Sequence, residues 1–457
     1  METAMDKLHL DRALTPMGWR DNVTVAVGPD GRIAAITEAP AAAGAARLGG
    51  IVLPGLPNLH SHAFQRGMAG LTEVAGTGED SFWTWRDWMY RFALALEPED
   101  VEAIAALAYV EMLEAGFTTV GEFHYLHHGR DGRPYADPAE LGRRCMAAAE
   151  ATGLAIALLP VLYAHSGFGG LPPGEGQRRF ICDLDLFARV AEGGRAAASA
   201  YARGHFGIAP HSLRAVTRDA LTALVAAFPE GPLHIHVSEQ VREVEDCLAA
   251  HGTRPIALLA DTVALSERWC LIHATHADAA ERRIMAEAGA VVGLCPVTEA
   301  NLGDGLFDGV DFRGCGGRFG VGTDSNVAIS AIGELAMLDY AQRFATRRRT
   351  AMADRGRSTG RTLIEDCLAG GAQALGLGAA GITVGAPADF VVLDGNHMAF
   401  AGRGGDAVLD SWIFGPSAGA IREVWVSGRR VVDGGRHVAR SAVEARARAV
   451  LERVIGG

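Results

Sequence analysis

Eight short apolar runs, each turning polar at its end, recur through the middle of the chain: LPNLHSH, TTVGEFHY, AIALLPVLY, FGIAPHSL, LHIHVSE, WCLIHATH, VVGLCPVTEANL and FGVGTDSN. Helix-length segments rich in alanine and charge separate them, among them PEDVEAIAALAYVEMLEAG, TRDALTALVAAF and DAAERRIMAEAG. Alternating β and α units imply parallel strands. Eight of them predict a closed (β/α)8 TIM-type barrel over residues 55–379, a span of roughly 320 residues that the fold accommodates. In such barrels the catalytic groups sit at the C-terminal ends of the strands. The polar ends of the runs are therefore expected to meet by topology, although they are far apart in sequence.

The flanks have a different texture. NVTVAVGPDGRIAAITEA places a Pro-Asp-Gly turn between two β-rich runs, and GAPADFVVLD and IREVWVSGRRVVDGGRHV are apolar runs broken by glycine. They predict a small β-sandwich domain built from both termini, residues 1–54 and 380–457. The final SAVEARARAVLERVIGG reads as an amphipathic helix, free to pack on the barrel or on a partner subunit.

Composition excludes several partners. A net charge of -12 without a long basic block argues against nucleic acid and against an anionic membrane surface. The alanine-rich stretches carry glutamates, so none reads as membrane-spanning. The start of the chain lacks the apolar core of a secretory signal, and seven scattered cysteines include no CxxC. A reduced, cytoplasmic protein is expected. Lys7 is the only lysine, which leaves no lysine for a Schiff base or a phosphate loop in the body of the chain.

Collecting the strand ends yields His60 and His62, then His211, His236, Glu239, His273 and Asp324. His60 and His62 share one side of an extended strand, because strand side chains alternate. A catalytic zinc or iron site wants three or four N/O ligands and an open position for water, whose pKa the metal lowers. His60, His62, His236 and Asp324 supply such a set. Glu239 is then placed to carry protons, and His273 to polarise or orient an electrophile. Each residue also has a plainer reading. His234 shares a face with His236, and only its deeper position in the strand argues against it. His276 competes less well with His273, Asp324 alone reads equally as a helix cap, and His9, His251, His397 and His437 read as packed or surface residues.

LPGLPNLHSH, HIHVSE, LIHATH, GTDSN and the closing GAPADFVVLD, in this order, resemble the amidohydrolase superfamily in its branch of metal-dependent deaminases. The resemblance implies one Zn2+ per subunit, with Fe2+ as the alternative, and a homodimer. Some superfamily members bridge two metals with a carboxylated barrel lysine, and no such lysine exists here. The stretches HSHAFQRGMAG, SFWTWRDWMYRF, EFHY and APHSLRAV are similar to those of members acting on an open-chain formimino group. That similarity implies hydrolysis of N-formimino-L-glutamate to N-formyl-L-glutamate and ammonia, a step of histidine degradation. Arg86 and Arg214 would hold the two substrate carboxylates, with Gln65, Tyr125 and His211 completing the pocket. In the implied chemistry Asp324 takes the water proton, His273 stabilises the tetrahedral centre and Glu239 shuttles a proton to the departing nitrogen.

Several alternatives stay open at this level. Arg66 and Arg91 compete with the chosen arginines, and Arg86 reads equally as a cap on a surface helix. Trp83, Trp85 and Trp88 suit a lid or a core, and either Ser325 or Asn326 is placed to reach substrate. The substrate alternatives are formimino-L-aspartate, a guanidino acid, or a purine or pyrimidine ring. A barrel that has lost catalysis and survives as a binding protein is the reading from another class.

Overall fold

The structure is a computed structural model of the chain and describes residues 6–41, 44–75 and 81–456. Four strands come first, β1 (Asp6–Thr15), β2 (Gly18–Val27), β3 (Ile33–Glu38) and β4 (Ala46–Pro54). The middle segment carries β5 (Leu56–Ser61), β6 (Phe117–His124), β7 (Ala155–Leu162), β8 (Gly204–Phe206), β9 (Ala209–Pro210), β10 (Leu233–Val237), β11 (Trp269–His273), β12 (Val291–Leu294) and β13 (Arg318–Val321). The C-terminal segment adds β14 (Phe390–Leu393), β15 (Ile421–Val426), β16 (Arg429–Asp433) and β17 (Arg436–His437).

The middle strands form the barrel. Parallel pairing runs from β5 through β6 and β7 to β8 and β9, which share one position, and again from β10 through β13. Single parallel bridges close the two seams, Ile208 with Leu233 and Ser212 with His236 on one side, Ser61 with Asp324 on the other. Most barrel strands are buried along their whole length, as parallel strands covered by helices must be. The helix Thr359–Ala374 lies against β5 and β13 and approaches closely, because a Cβ on Gly370 would sit 1.9 Å from the Phe319 carbonyl oxygen.

The terminal strands form one continuous sheet, in the order β17-β16-β15-β14-β4-β1-β2-β3. The small β-sandwich expected from both termini is thus a single sheet curled over itself. The Pro29-Asp30-Gly31 turn between β2 and β3 bonds across to the far half, Ile33 N–H to the Ala386 carbonyl at 2.8 Å and Ala388 N–H to that of Gly31 at 3.0 Å. Gly31 has φ +75°, and a Cβ there would lie 2.5 Å from Ser427 Cβ, so glycine suits both the turn and the closure. The curled sheet encloses its own core, which includes Leu10, Val23, Val25, Leu48, Phe390 and Val392.

The C-terminal helix Arg440–Gly456 packs on the barrel helix Pro98–Glu114. Val443, Val450, Leu451 and Val454 lean on the main core, while Arg440 pairs with Glu114 at 2.9 Å and Arg446 with Glu102 at 2.6 Å. Among the described residues no helix is long and apolar enough to cross a membrane. All seven cysteines are unpaired thiols, and all but Cys315 are buried.

Candidate metal centre and pocket

The polar strand ends converge at one mouth of the barrel. The register of β5 on β6 slips by one residue between Asn58 and Ser61, a bulge. It lets Leu59 fill the barrel interior beside Ile272 and Cys270 while His60 and His62 still turn toward the centre. Ser238, His273, Ala274, Asp324 and Asn326 all have φ between +46° and +68°. Left-handed backbone costs a non-glycine residue about 1–3 kcal/mol, and strain of this kind clusters where side chains must be aimed.

His60 Nε2 and His62 Nε2 stand 3.3 and 3.2 Å from Asp324 Oδ1, and His236 Nε2 is 3.1 Å from His60 Nε2. His62 and His236 donate their Nδ1 protons to the carbonyls of Phe123 and His211, at 2.9 and 3.1 Å. Their Nε2 lone pairs are thereby turned to the centre, the usual second contact of a metal-ligating imidazole. Tetrahedral N/O ligation at 2.0–2.2 Å would space donor atoms by about 3.3–3.6 Å, so this donor set fits a divalent zinc or iron ion. His273 also reaches the centre: one donor atom each from His60, His236, His273 and Asp324 lie within 4.8 Å of one another. Its Nε2 is farther from Asp324, 3.8 Å from Oδ2, and equally 3.8 Å from Glu239 Oε1.

Burial sets the protonation of the cluster. It depresses His60 to about 3 and holds His236 well below the ordinary imidazole value, so both rings are the neutral form that a metal needs. Burial works to raise Asp324, yet the His60 and His62 rings set against it hold its carboxyl well below the usual range. Burial pushes Glu239 up to about 7 despite the nearby charges of His273 and Arg214. His273 would be lowered by burial, but the carboxylates of Glu239, Glu299 and Asp324 raise it to about 10.

A pocket opens beside this cluster. The helix Phe82–Ala95 turns Phe82, Trp85, Arg86, Met89 and Tyr90 into it, one face at helical spacing. Gln65, Tyr125, Tyr163, Phe180, His211 and Arg214 complete the wall, with Glu239, His273 and Asp324 at its base. Gln65 donates to Tyr125 Oη at 2.7 Å, and its Oε1 has no partner. Arg86 and Arg214 flank the Trp83 ring, at 4.6 and 5.7 Å from its centroid, and the Nε of each is buried without an acceptor. Arg214 Nη2 is 3.8 Å from Glu239 Oε2.

Other sequence candidates are engaged elsewhere. Arg66 is held by both oxygens of Glu111, at 2.5 and 3.0 Å, and Arg91 lies over Trp88, which is half exposed. His234 bonds the Ala374 carbonyl deeper in the barrel, and His276 that of Asp304. Ser325 pairs with Thr298, and Asn326 spends its amide on Ser61 and on the His62 and Asp324 carbonyls. Neither lines the pocket; Asn326 ties the two ligand-bearing loops together.

Sequence reasoning passed over three carboxylates. Glu122 Oε1 accepts the Ala63 N–H at 2.8 Å, directly after His62. Glu243 receives the backbone N–H groups of Ser238 and Glu239, at 3.2 and 3.1 Å, and Glu299 stands 3.2 Å from His273 Nδ1. Only the place of Glu122 near the end of β6, and of Glu243 and Glu299 in the first turn of the helix after a strand, distinguishes them in the sequence from surface glutamates.

Comparison with known proteins gives two family matches, the Amidohydrolase family over residues 51–431 and "Formimidoylglutamate deiminase HutF, N-terminal domain" over residues 5–50. The chain is 52% identical over 436 residues to the formimidoylglutamate deiminase of Pseudomonas aeruginosa, covering 95% of this chain and 96% of that one. A 5-methylthioadenosine/S-adenosylhomocysteine deaminase of Halobacterium salinarum is 30% identical over 400 residues, 82% of this chain and 83% of that one. Among solved structures, an amidohydrolase from Brucella melitensis superposes with a TM-score of 0.94 at 49% identity, covering 98% of this chain and 100% of that chain.

Proposed function

The chain belongs to the amidohydrolase family, and from that premise we propose that it hydrolyses N-formimino-L-glutamate to N-formyl-L-glutamate and ammonia, a step of histidine degradation. One observation carries the substrate choice: the buried Arg214 and the partly buried Arg86 share one pocket wall, and the buried Nε of neither has an acceptor. Unmet buried donors are costly, and a molecule with two carboxylates meets them in the bidentate geometry that arginine favours. A neutral purine leaves that charge unanswered.

His60, His62, His236 and Asp324 would hold the resident metal, read here as one Zn2+ per subunit with Fe2+ as the alternative. Such an ion supplies Lewis acidity and brings a water toward deprotonation near neutral pH. Asp324 takes the proton from the attacking water, its Oδ2 being the oxygen turned toward His273. Water oxygen bonds to the formimino carbon as the carbon–nitrogen π bond opens. His273, held as an imidazolium by its three carboxylate neighbours, faces the charge that develops on the tetrahedral centre. Glu239, poised near neutrality, passes a proton to the terminal nitrogen; the proton held by Asp324 then reaches the same nitrogen as the C–N bond breaks, ammonia leaves, and the hydroxyl proton returns to Glu239 as the formyl carbonyl forms. Gln65, Tyr125 and His211 shape the wall that keeps the amidine over these groups. A homodimer in the cytoplasm is the working form we infer, in keeping with the acidic net charge and unpaired thiols.

The test is ammonia release by the purified protein given N-formimino-L-glutamate, with formimino-L-aspartate and guanine alongside, before and after chelation. The expected result is preference for the glutamate compound, loss on chelation and recovery with Zn2+ or Fe2+. Faster turnover of guanine, or no turnover of the glutamate compound by the metal-loaded protein, overturns the reading.

A further inference from the structure

Glu299 lies on the short helix Pro296–Leu302 that follows β12, and it is almost wholly buried. Its Oε1 accepts the Cys295 N–H at 2.8 Å and faces His273 Nδ1 at 3.2 Å. The helix is anchored to the loop that carries Asp324: Thr298 Oγ1 donates to the Thr323 carbonyl at 3.1 Å and meets Ser325 Oγ at 3.0 Å. Its first turn is held from outside, since the Val297 N–H donates to Glu334 at 2.9 Å. Glu299 therefore has little freedom, and the oxygen it presents to His273 stands in a fixed place relative to Asp324.

A carboxylate that only capped its helix would need the Cys295 N–H and nothing more. The same oxygen is instead aligned on the ring nitrogen of a residue with φ +68°, whose backbone leaves the strand in a strained turn. We propose that Glu299 is the positioning residue of His273. By accepting the Nδ1 proton it fixes the ring's rotamer, so that Nε2 points at the space between Glu239 and Asp324. Without that acceptor the ring is free to rotate about its χ2 axis, which withdraws the group that faces the reacting centre.

The kinetic part of the test rests on the deiminase reading, so it is paired with a measurement that needs no substrate. In protein with 15N-labelled histidine, the His273 signals are assigned by their loss in His273→Asn. The wild type is expected to show a hydrogen-bonded Nδ1 proton that Glu299→Ala abolishes and Glu299→Gln, which keeps an acceptor oxygen, restores in part. Kinetically, Glu299→Ala is expected to lower kcat about tenfold or more with KM within about twofold and metal content unchanged, and Glu299→Gln to recover part of the loss. An unchanged His273 spectrum in Glu299→Ala overturns the proposal whatever the substrate is. So does an unchanged kcat, or a loss of metal or fold common to both variants, which would make Glu299 a structural cap.

Discussion

Arg86 and Arg66 are twenty residues apart in an arginine-rich chain, yet one is satisfied and the other is not. Arg66 meets both oxygens of Glu111, whereas Arg86 keeps a buried Nε without an acceptor. Hydrogen bonds to charged groups contribute about 1.5–3 kcal/mol, so losing one carboxylate clamp should cost roughly ten- to hundredfold in kcat/KM. Arg86→Met and Arg214→Met are each expected to show that loss, mainly as a higher KM, in steady-state kinetics with N-formimino-L-glutamate. Arg86→Lys should recover little, because an ammonium lacks the planar fork. Equal activity of Arg86→Met and the wild type would remove this arginine from the pocket's function. The two arginines look alike in the sequence. Their difference lies in which face of which helix each occupies, and in the carboxylates that the fold brings opposite.

Among the elements, β6 shows how the layers around the barrel support its mouth. Phe123 faces the inner histidines, while Glu122 points outward among Tyr109, Ser61 and the backbone after His62. Burial raises the Glu122 carboxyl to about 7, against the bond from Ala63 that favours its charge. A carboxyl whose folded pKa lies above its unfolded value binds more protons when folded. Its contribution to stability is therefore fully present below about pH 4.5 and is lost as pH rises through about 7. Glu122→Gln cannot titrate, so its melting temperature relative to the wild type should climb as pH is raised from 5 to 8. A pH-independent difference between the two would contradict the assigned shift. The helix Phe82–Ala95 makes the complementary point about the pocket. Its spacing of Phe82, Trp85, Arg86, Met89 and Tyr90 is legible in sequence as one face. Whether that face closes a core or a substrate site depends on what stands across from it.

At the scale of the whole molecule, the C-terminal helix belongs energetically to the barrel. Its apolar side leans on the main core, while its ion pairs stand near the surface, with Arg446 nearly half exposed. Exposed pairs contribute about 0–1 kcal/mol, whereas each partly buried valine or leucine contributes on the order of 1 kcal/mol. Arg446→Ala should therefore move the melting temperature by about 2 °C or less. A chain ending at Ala439 should melt several degrees lower, and scanning calorimetry of the two reads the difference. An equal shift in both would place the anchoring in the charges instead. A groove of about 870 Å3 lies at the opposite end of the barrel from the histidines, between the N-terminal strand ends and the small sheet. Its lining includes Leu14, Pro16, Pro54, Ile364, Leu368 and Ile382, and it gathers none of the cluster that carries the chemistry. It is larger than the pocket beside the histidines, so size does not mark the site.

The amino-acid sequence by itself determined the order of elements and the kinds of side chain waiting at the strand ends, because hydrophobic periodicity and the direction of a parallel strand are local properties. The paired rhythm of His60 and His62, the apolar runs that end in His236, His273 and Asp324, and the β texture of both termini could all be read along the line. Tertiary structure alone decided which groups share a hydrogen-bond partner. His236 faces the centre while His234 bonds Ala374 farther down the same strand, and Asn326 binds two loops together instead of a substrate. Glu299 reaches His273 across 26 residues of chain. Barrel closure sets these meetings, since it joins β13 to β5 through Ser61 and Asp324 and brings atoms more than 260 residues apart to within 3.3 Å. Distances of that kind follow from packing and register, which no local pattern encodes.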